Sequence, residues 1–337
     1  LKKWSTADPS VRVGLEDFLR RHGDTGEDTS AAHFALAKVC EDEETYDDAF
    51  HHLQQGARQM RARSGYHSAV DQKLFADLKT WFLASTDDAP PDCKPDGPLF
   101  ILGMPRTGST LSDRILSSHS EISSVGELMC FRRAVEASCG ASGEADFFVS
   151  FFSSAPPALP YREIGERSLA MLAPLVGQER YFIDKMPMNY VFAGLIARSL
   201  PGARFIHTVR NPMDTCFSNY KQMFGEGYYS YSYDLDDLAM HYRLYHELMA
   251  FWHSAMPDRI YDLEYEALVA DPEGESRALL DWLGLGWEPR CLEFHESPGA
   301  VHTASVSQVR QPVYRGSVAK WRKFERHLKP CLLYTSP

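Results

Sequence analysis

PLFILGMPRTGST, residues Pro98–Thr110, is the stretch that decides the fold. The apolar run Leu99–Leu102 reads as a strand that ends at Gly103. A turn follows, then Gly108-Ser109-Thr110 and the amphipathic run Leu111–Leu116, which reads as a helix. Gly103 and Gly108 stand at the spacing of a Walker A loop, G-x-x-x-x-G-K-[ST], but Ser109 replaces the lysine that reaches the outer phosphates of a triphosphate. The backbone N–H groups of such a loop and the dipole of the helix behind it still form an anion cradle. Arg106, inside the loop, offers a replacement cation. Taken by itself, the same stretch also reads as a strand-to-helix turn with N-capping residues.

A second stretch, Ala203–Ser218 (ARFIHTVRNPMDTCFS), repeats the pattern. Phe205–Val209 is strand-like, Arg210-Asn211-Pro212 leaves the strand, and a helix opens near Asp214. Arg210 therefore sits at a strand's C-terminal end, where open α/β sheets bind ligands. Its planar fork and the hydroxyl of Ser218, eight residues on, suit a further phosphate.

These stretches resemble the sulfotransferases that use 3′-phosphoadenosine 5′-phosphosulfate (PAPS). The similarity is greatest to the branch of protein-tyrosine sulfotransferases and bacterial sulfotransferases with tetratricopeptide repeats. Pro105-Arg106-Thr107-Gly108-Ser109-Thr110 resembles the family's 5′-phosphosulfate loop, and Arg210 with Ser218 its 3′-phosphate motif. The resemblance implies that Glu127, in SVGE, is the general base. It also implies that Lys185, in IDKMP, stabilises the transferring group. Tyr265-Glu266 resembles the family's tyrosine–glutamate strand end, and Ser305 to Lys320 the segment that closes over the nucleotide. Ser305 is placed by its spacing of fifteen residues from Lys320. The resemblance spans about Pro98 to Phe324. It implies catalytic roles for Glu127, Lys185, Arg106 and Ser305. Nucleotide contacts fall on Arg106, Thr107, Gly108, Ser109, Thr110, Arg210, Ser218, Tyr265 and Lys320. Gln222 departs from the branch, which has a second 3′-phosphate arginine there.

Composition agrees with an ordinary globular protein. The 337 residues suffice for one large domain and a smaller one, and the net charge of −11 argues against general nucleic-acid binding. No apolar run approaches a membrane span and no signal peptide opens the chain. The first residue is Leu1, so upstream residues are not excluded. Seven scattered cysteines without C-x-x-C suggest neither a disulfide framework nor zinc, and reduced thiols fit a cytoplasmic location. His51-His52 reads as an exposed helix face rather than a ligand pair.

The expected fold class is α/β: a P-loop-like parallel sheet flanked by helices, with an N-terminal all-helical, tetratricopeptide-repeat-like extension. Residues 1–92 read as the helical region, 93–330 as the sulfotransferase domain and 331–337 as a non-native tail. The Pro/Asp-rich stretch 87–97 is the linker. Helices are expected at Val11–Arg21, Ala31–Cys40, Tyr46–Arg63 and Asp71–Phe82. The second and third read as one repeat, with Ala49 small between Tyr46 and Phe50; an ordinary two-helix extension reads equally well. Beyond Pro98 the expected strands are Leu99–Leu102, Tyr181–Ile183, Arg204–Val209 and Arg259–Leu263. Helices are expected at Leu111–Ser117, Tyr190–Leu200, Met213–Phe224, Leu235–Ala255 and Glu275–Leu283. Residues 140–160 are less regular and read as an insertion.

The implied reaction passes a sulfuryl group from PAPS to a hydroxyl of a phenol, a sugar or a small molecule, by positioning and charge stabilisation. No metal is expected, since no triphosphate is bound. His119 ranks below Glu127 as a base, because at a helix C-terminus it suits carbonyl capping. Tyr228, Tyr229, Tyr231 and Tyr233 either line an acceptor pocket or pack. The N-terminal helices are a candidate docking face for a protein partner. Two rival functions remain open: a small-molecule kinase on the same loop, and a non-catalytic nucleotide-binding scaffold.

Overall fold

The computed structural model describes residues 9–22, 28–85, 97–140, 151–152, 159–225, 227–296 and 316–331. Its contacts group the chain into two units. One gathers Leu1–Asp71, Pro212–Leu244 and Ser317–Pro337; the other gathers Gln72–Asn211 and Tyr245–Gly316.

The second unit is built on a five-stranded, wholly parallel sheet. Its strands are β1 (Pro98–Leu102), β2 (Ile122–Gly126), β3 (Tyr181–Lys185), β4 (Arg204–Val209) and β5 (Ile260–Glu264), in the order β2-β3-β1-β4-β5. β1 is central, and all five of its residues are buried. A strand covered on both faces reads as a continuous apolar run, which is why PLFIL was legible. β2 lies at one edge and carries two serines and a glycine, ISSVG, so no apolar alternation marks it. It was absent from the expected strands for that reason. The order reverses at β1, with β3 on one side and β4 on the other, so the loop leaving β1 stands at the switch point of the sheet.

Helix α5 (Ser109–Ser117) follows that loop, and α6 (Cys130–Cys139) and α7 (Tyr161–Leu172) precede β3. The single helix expected over Tyr190–Leu200 is a 3-10 turn, Pro187–Tyr190, followed by α8 (Ala193–Ser199). Pro187 opens the turn, and Gly194 leaves room for Trp252: a Cβ there would stand 2.6 Å from the indole. Leu99, Ile101, Ile115, Ile183, Ile206, Leu263 and Leu280 share the core on one face of the sheet.

In the first unit, α1 (Pro9–His22), α2 (Ser30–Asp42) and α3 (Tyr46–Ser64) precede α4 (Ser68–Ala84), whose first residues belong here. Helix α2 and helix α3 form the expected helical hairpin. Leu36, Val39, Ala49, Phe50 and Leu53 are buried, and Gly56 meets the Phe34 ring so closely that a Cβ would lie 3.0 Å from it. Helix α9 (Pro212–Tyr220) and a C-terminal 3-10 segment, Lys320–His327, join this hairpin through aromatic ring contacts. Phe50 packs on Tyr220 and His327, and Tyr46 and Phe217 pack on Phe324. Lys221 donates to Glu41 at 2.6 Å. Helix α10 (Leu235–Ala255) has the bounds expected of it and runs from the first unit into the second. Helix α11 (Tyr265–Ala270) and helix α12 (Pro272–Leu283) follow β5.

Candidate active site at the C-terminal edge of the sheet

The loop from Gly103 to Gly108 is held from three sides. Gly103, at φ +143°, donates its N–H to the Pro187 carbonyl at 3.0 Å. A Cβ at Gly103 would stand 2.7 Å from the Thr208 carbonyl, so only glycine fits. Thr107 bonds the Met104 carbonyl and the Thr208 hydroxyl, each at 2.7 Å. Arg106 adopts a left-handed conformation, φ +69°, unusual for a residue with a Cβ. Gly108 is the N-cap of α5 at φ +101° and, as a glycine, supplies no capping side chain. Tyr265 packs over it closely enough that a Cβ would lie 2.6 Å from the ring. Ser109 and Thr110 begin α5 and are buried.

Beside the loop lies a cluster of charges on β2, β3 and α5. Gly126 turns the chain at φ +74° where β2 ends, and Glu127 is the next residue. The Lys185 ammonium, 1% exposed, donates to Glu127 Oε1, while the Glu127 side chain remains 34% exposed. Lys185 ends β3 and pairs in register with Ile101 of β1, which places it beside the loop's origin. Two carboxylates missed in the sequence lie nearby, Asp113 beside this pair and Asp184 one residue before Lys185, on the other face of β3. Ser124 donates to Asp113 Oδ1 at 2.5 Å, and burial pushes the Asp113 carboxyl up, with the charge of Lys185 acting against it. Asp184, wholly buried, is pushed up to about 7 by desolvation, against the hydrogen bond that Asn189 donates at 3.3 Å. A signal for Asp113 was present: it falls four residues after Ser109, on a face of α5 that the fold buries.

Arg210, just past β4, donates to the Arg106 carbonyl at 2.8 Å, and its guanidinium lies 4.9 Å from the centre of the Tyr265 ring. Arg106, Arg210 and Tyr265 are thereby brought together. Ser218 and Lys320 belong to the first unit. Ser218 is half-buried on α9, and Lys320 opens the C-terminal 3-10 segment, where Asp214 accepts from the backbone N–H of Ala319 at 2.6 Å and of Trp321 at 3.2 Å. Gln222, in the same unit, donates to the Met223 carbonyl at 3.3 Å. Ser305 lies outside the described residues, as does most of the 140–160 stretch.

Two readings of secondary candidates are resolved by geometry. His119 is buried, its Nε2 bonds the Gly286 carbonyl at 2.8 Å and its Nδ1 accepts from the Glu121 N–H at 3.1 Å, so both ring nitrogens are engaged in holding loops. Among the four tyrosines, Tyr231 stacks on His241 at 3.5 Å and is buried, as is Tyr233. Those two pack, and Tyr228 and Tyr229 stay half-buried.

The Sulfotransferase family model matches residues 98–289, more than half of the chain and all five strands. The chain belongs to the sulfotransferase family. Among relatives of this sulfotransferase-family chain, an uncharacterised protein of Aquifex aeolicus is 31% identical over 98% of this chain, which spans 44% of the relative's length. Protein-tyrosine sulfotransferase 2 of Gallus gallus is 24% identical over 66% of this chain and 62% of its own length. The sulfotransferase domain of the Synechococcus PCC 7002 olefin synthase shares the fold, with a TM-score of 0.51 and 21% identity over 75% of this chain and all of that one. Among the described residues, no helix is long and apolar enough to cross a membrane.

Proposed function

We propose that this chain transfers a sulfuryl group from PAPS to an acceptor hydroxyl. The supporting observation is the convergence of five strand ends. At one edge, β1 delivers the glycine loop, β2 Glu127, β3 Lys185, β4 Arg210 and β5 Tyr265. The donor's 5′ side fits the loop, because α5 opens on a glycine N-cap at the switch point of the sheet, behind two glycines whose Cβ positions are already taken.

Bound there, PAPS supplies an activated sulfuryl group. Loop N–H groups and Arg106 hold the 5′-phosphosulfate and the charge that grows on it. Arg210 grips the 3′-phosphate, with Ser218 assigned to that grip by the motif. Glu127 accepts the acceptor's proton at a carboxylate oxygen, and its partial exposure leaves room for that hydroxyl. Lys185 fixes Glu127 and faces the transferring group. Ser305 and Lys320 carry the roles the family motif implies. Residues 93–330 are read as the transferase domain and 1–92 as a partner-binding region. The acceptor is a phenol, a sugar or a small molecule.

The test is a thermal-shift series followed by transfer of labelled sulfate. The product 3′-phosphoadenosine 5′-phosphate is expected to stabilise the chain by about 2.7 kcal/mol at a hundredfold excess over its dissociation constant. Arg210→Ala is expected to weaken that binding by about 1.5–3 kcal/mol. Stabilisation by ATP with magnesium, and none by the product nucleotide, would move the reading to a kinase.

A further inference from the structure

His207, His253 and Asp262 lie in the second unit and take no part in the proposed transfer. Their ligand atoms all fall within 4.8 Å of one another. His207 on β4 and Asp262 on β5 are register partners, and His253 comes from α10. Both imidazoles aim at the same carboxylate oxygen: His207 Nδ1 stands 2.7 Å from Asp262 Oδ1 and His253 Nε2 stands 3.0 Å from it. Two nitrogen donors and one carboxylate on three separate elements form an open three-ligand set.

We propose that His207, His253 and Asp262 form a binding site for a divalent transition metal of the zinc class, clamping β4 to β5 and α10. Zinc takes imidazole nitrogen and carboxylate oxygen at about 2.0–2.2 Å, so donors in a tetrahedral site lie about 3.3 Å apart. The two N···O separations of 2.7 and 3.0 Å need a small outward shift to admit the ion, and the two imidazole nitrogens lie within 4.8 Å of each other. On binding, each neutral imidazole that now donates to Asp262 moves its proton to its other ring nitrogen, from Nδ1 to Nε2 in His207 and from Nε2 to Nδ1 in His253, and the freed nitrogen takes the metal. His207 then carries its proton on Nε2, where the Tyr245 hydroxyl already sits in hydrogen-bond contact and fixes the ring. His207 is buried while His253 and Asp262 keep over a third of their side-chain surface exposed, so the fourth position opens to solvent. Imidazole and carboxylate together favour zinc over calcium or magnesium, which prefer all-oxygen sites.

The clamp lies three residues before Arg210 on one strand and three before Tyr265 on the other. It therefore ties the two strand ends that carry the stacked Arg210–Tyr265 pair. The site is independent of the transfer chemistry, for which no metal is required.

The experiment uses the full chain, stripped with chelator, and titrates it with cobalt(II) and zinc(II) chlorides. The expected result is one equivalent bound, a visible ligand-field spectrum with cobalt that zinc displaces, and a melting temperature that rises with metal. His253→Ala and Asp262→Asn each abolish the spectrum, and Tyr245→Phe weakens binding about tenfold or more. His253 is half-buried, against a buried His207, so its variant is the one expected to keep the native fold. His52→Ala, which removes the His33–His52 contact at 3.1 Å, leaves the spectrum unchanged. Absence of saturable binding overturns the proposal, and so does binding that survives His253→Ala or disappears with His52→Ala.

Discussion

Glu127 and Lys185, an ion pair in the fold, carry the proposed chemistry among single residues. The ammonium is sequestered while the carboxylate stays partly open, so the pair holds the proposed base in place without shielding it. Glu127→Gln keeps the shape and is expected to lower the single-turnover rate of sulfate transfer by about 10²–10⁴-fold, with nucleotide affinity retained. A rate near that of the parent chain would remove the carboxylate from the mechanism. Asp184 makes a different statement, about stability. Burial raises its folded pKa to about 7, from an ordinary 3.8. Between those values the folded state binds the extra proton, so this group's contribution is full below about pH 4 and is lost as pH rises through 7. Asp184→Asn retains an acceptor for Asn189 and never ionises. Its melting temperature relative to the parent chain is therefore expected to improve from pH 5 to about pH 7 and to level off above that. A difference that stays flat across that window would show that Asp184 is already ionised in the fold.

The unit that matters among elements is the strand–loop–helix of β1 and α5. It is legible because each of its requirements is local: a buried apolar run, then glycines where φ is positive, then a helix that starts without a side-chain cap. Gly103 carries two constraints, a φ of +143° and a neighbouring carbonyl 2.7 Å from any added Cβ. Gly103→Ala is expected to cost about 1–3 kcal/mol for the backbone alone, with further loss from the clash. Gly225, where an added Cβ meets nothing within 4 Å, serves as the control. Equal melting temperatures for Gly103→Ala and Gly225→Ala would show that the loop is looser than its contacts indicate. Secondary structure at the sheet's edges was harder to read. β2 has serines where an inner strand has isoleucines, and an edge position tolerates them because one side of the strand is unpaired.

For the molecule as a whole, the grouping of segments carries a prediction. The first unit is assembled from three stretches far apart in the chain, knit by Phe50, Tyr220, Phe324 and the Lys221–Glu41 pair. A chain beginning at Gln72 removes α2 and α3 and with them half of that packing. Amides of α9 and of residues 320–327 are expected to lose hydrogen-exchange protection, while those of β1 and β4 keep theirs. Unchanged protection would mean that these segments fold without the hairpin. Neighbouring residues settled among themselves the glycine loop, the core strands β1 and β4 and the bounds of α10, and they carry the motif resemblance that makes Arg106, Glu127, Lys185 and Arg210 the candidate site residues. Those features follow from backbone conformation and apolar periodicity, which act over a few residues. It took the fold to show that Lys185 meets Glu127 across 58 positions, that Asp113 lies beside them, that Asp184 is buried, that both nitrogens of His119 are engaged, and that His207 faces Asp262. Each of these depends on strand order and register, and pairing between distant segments leaves no periodic trace in either one.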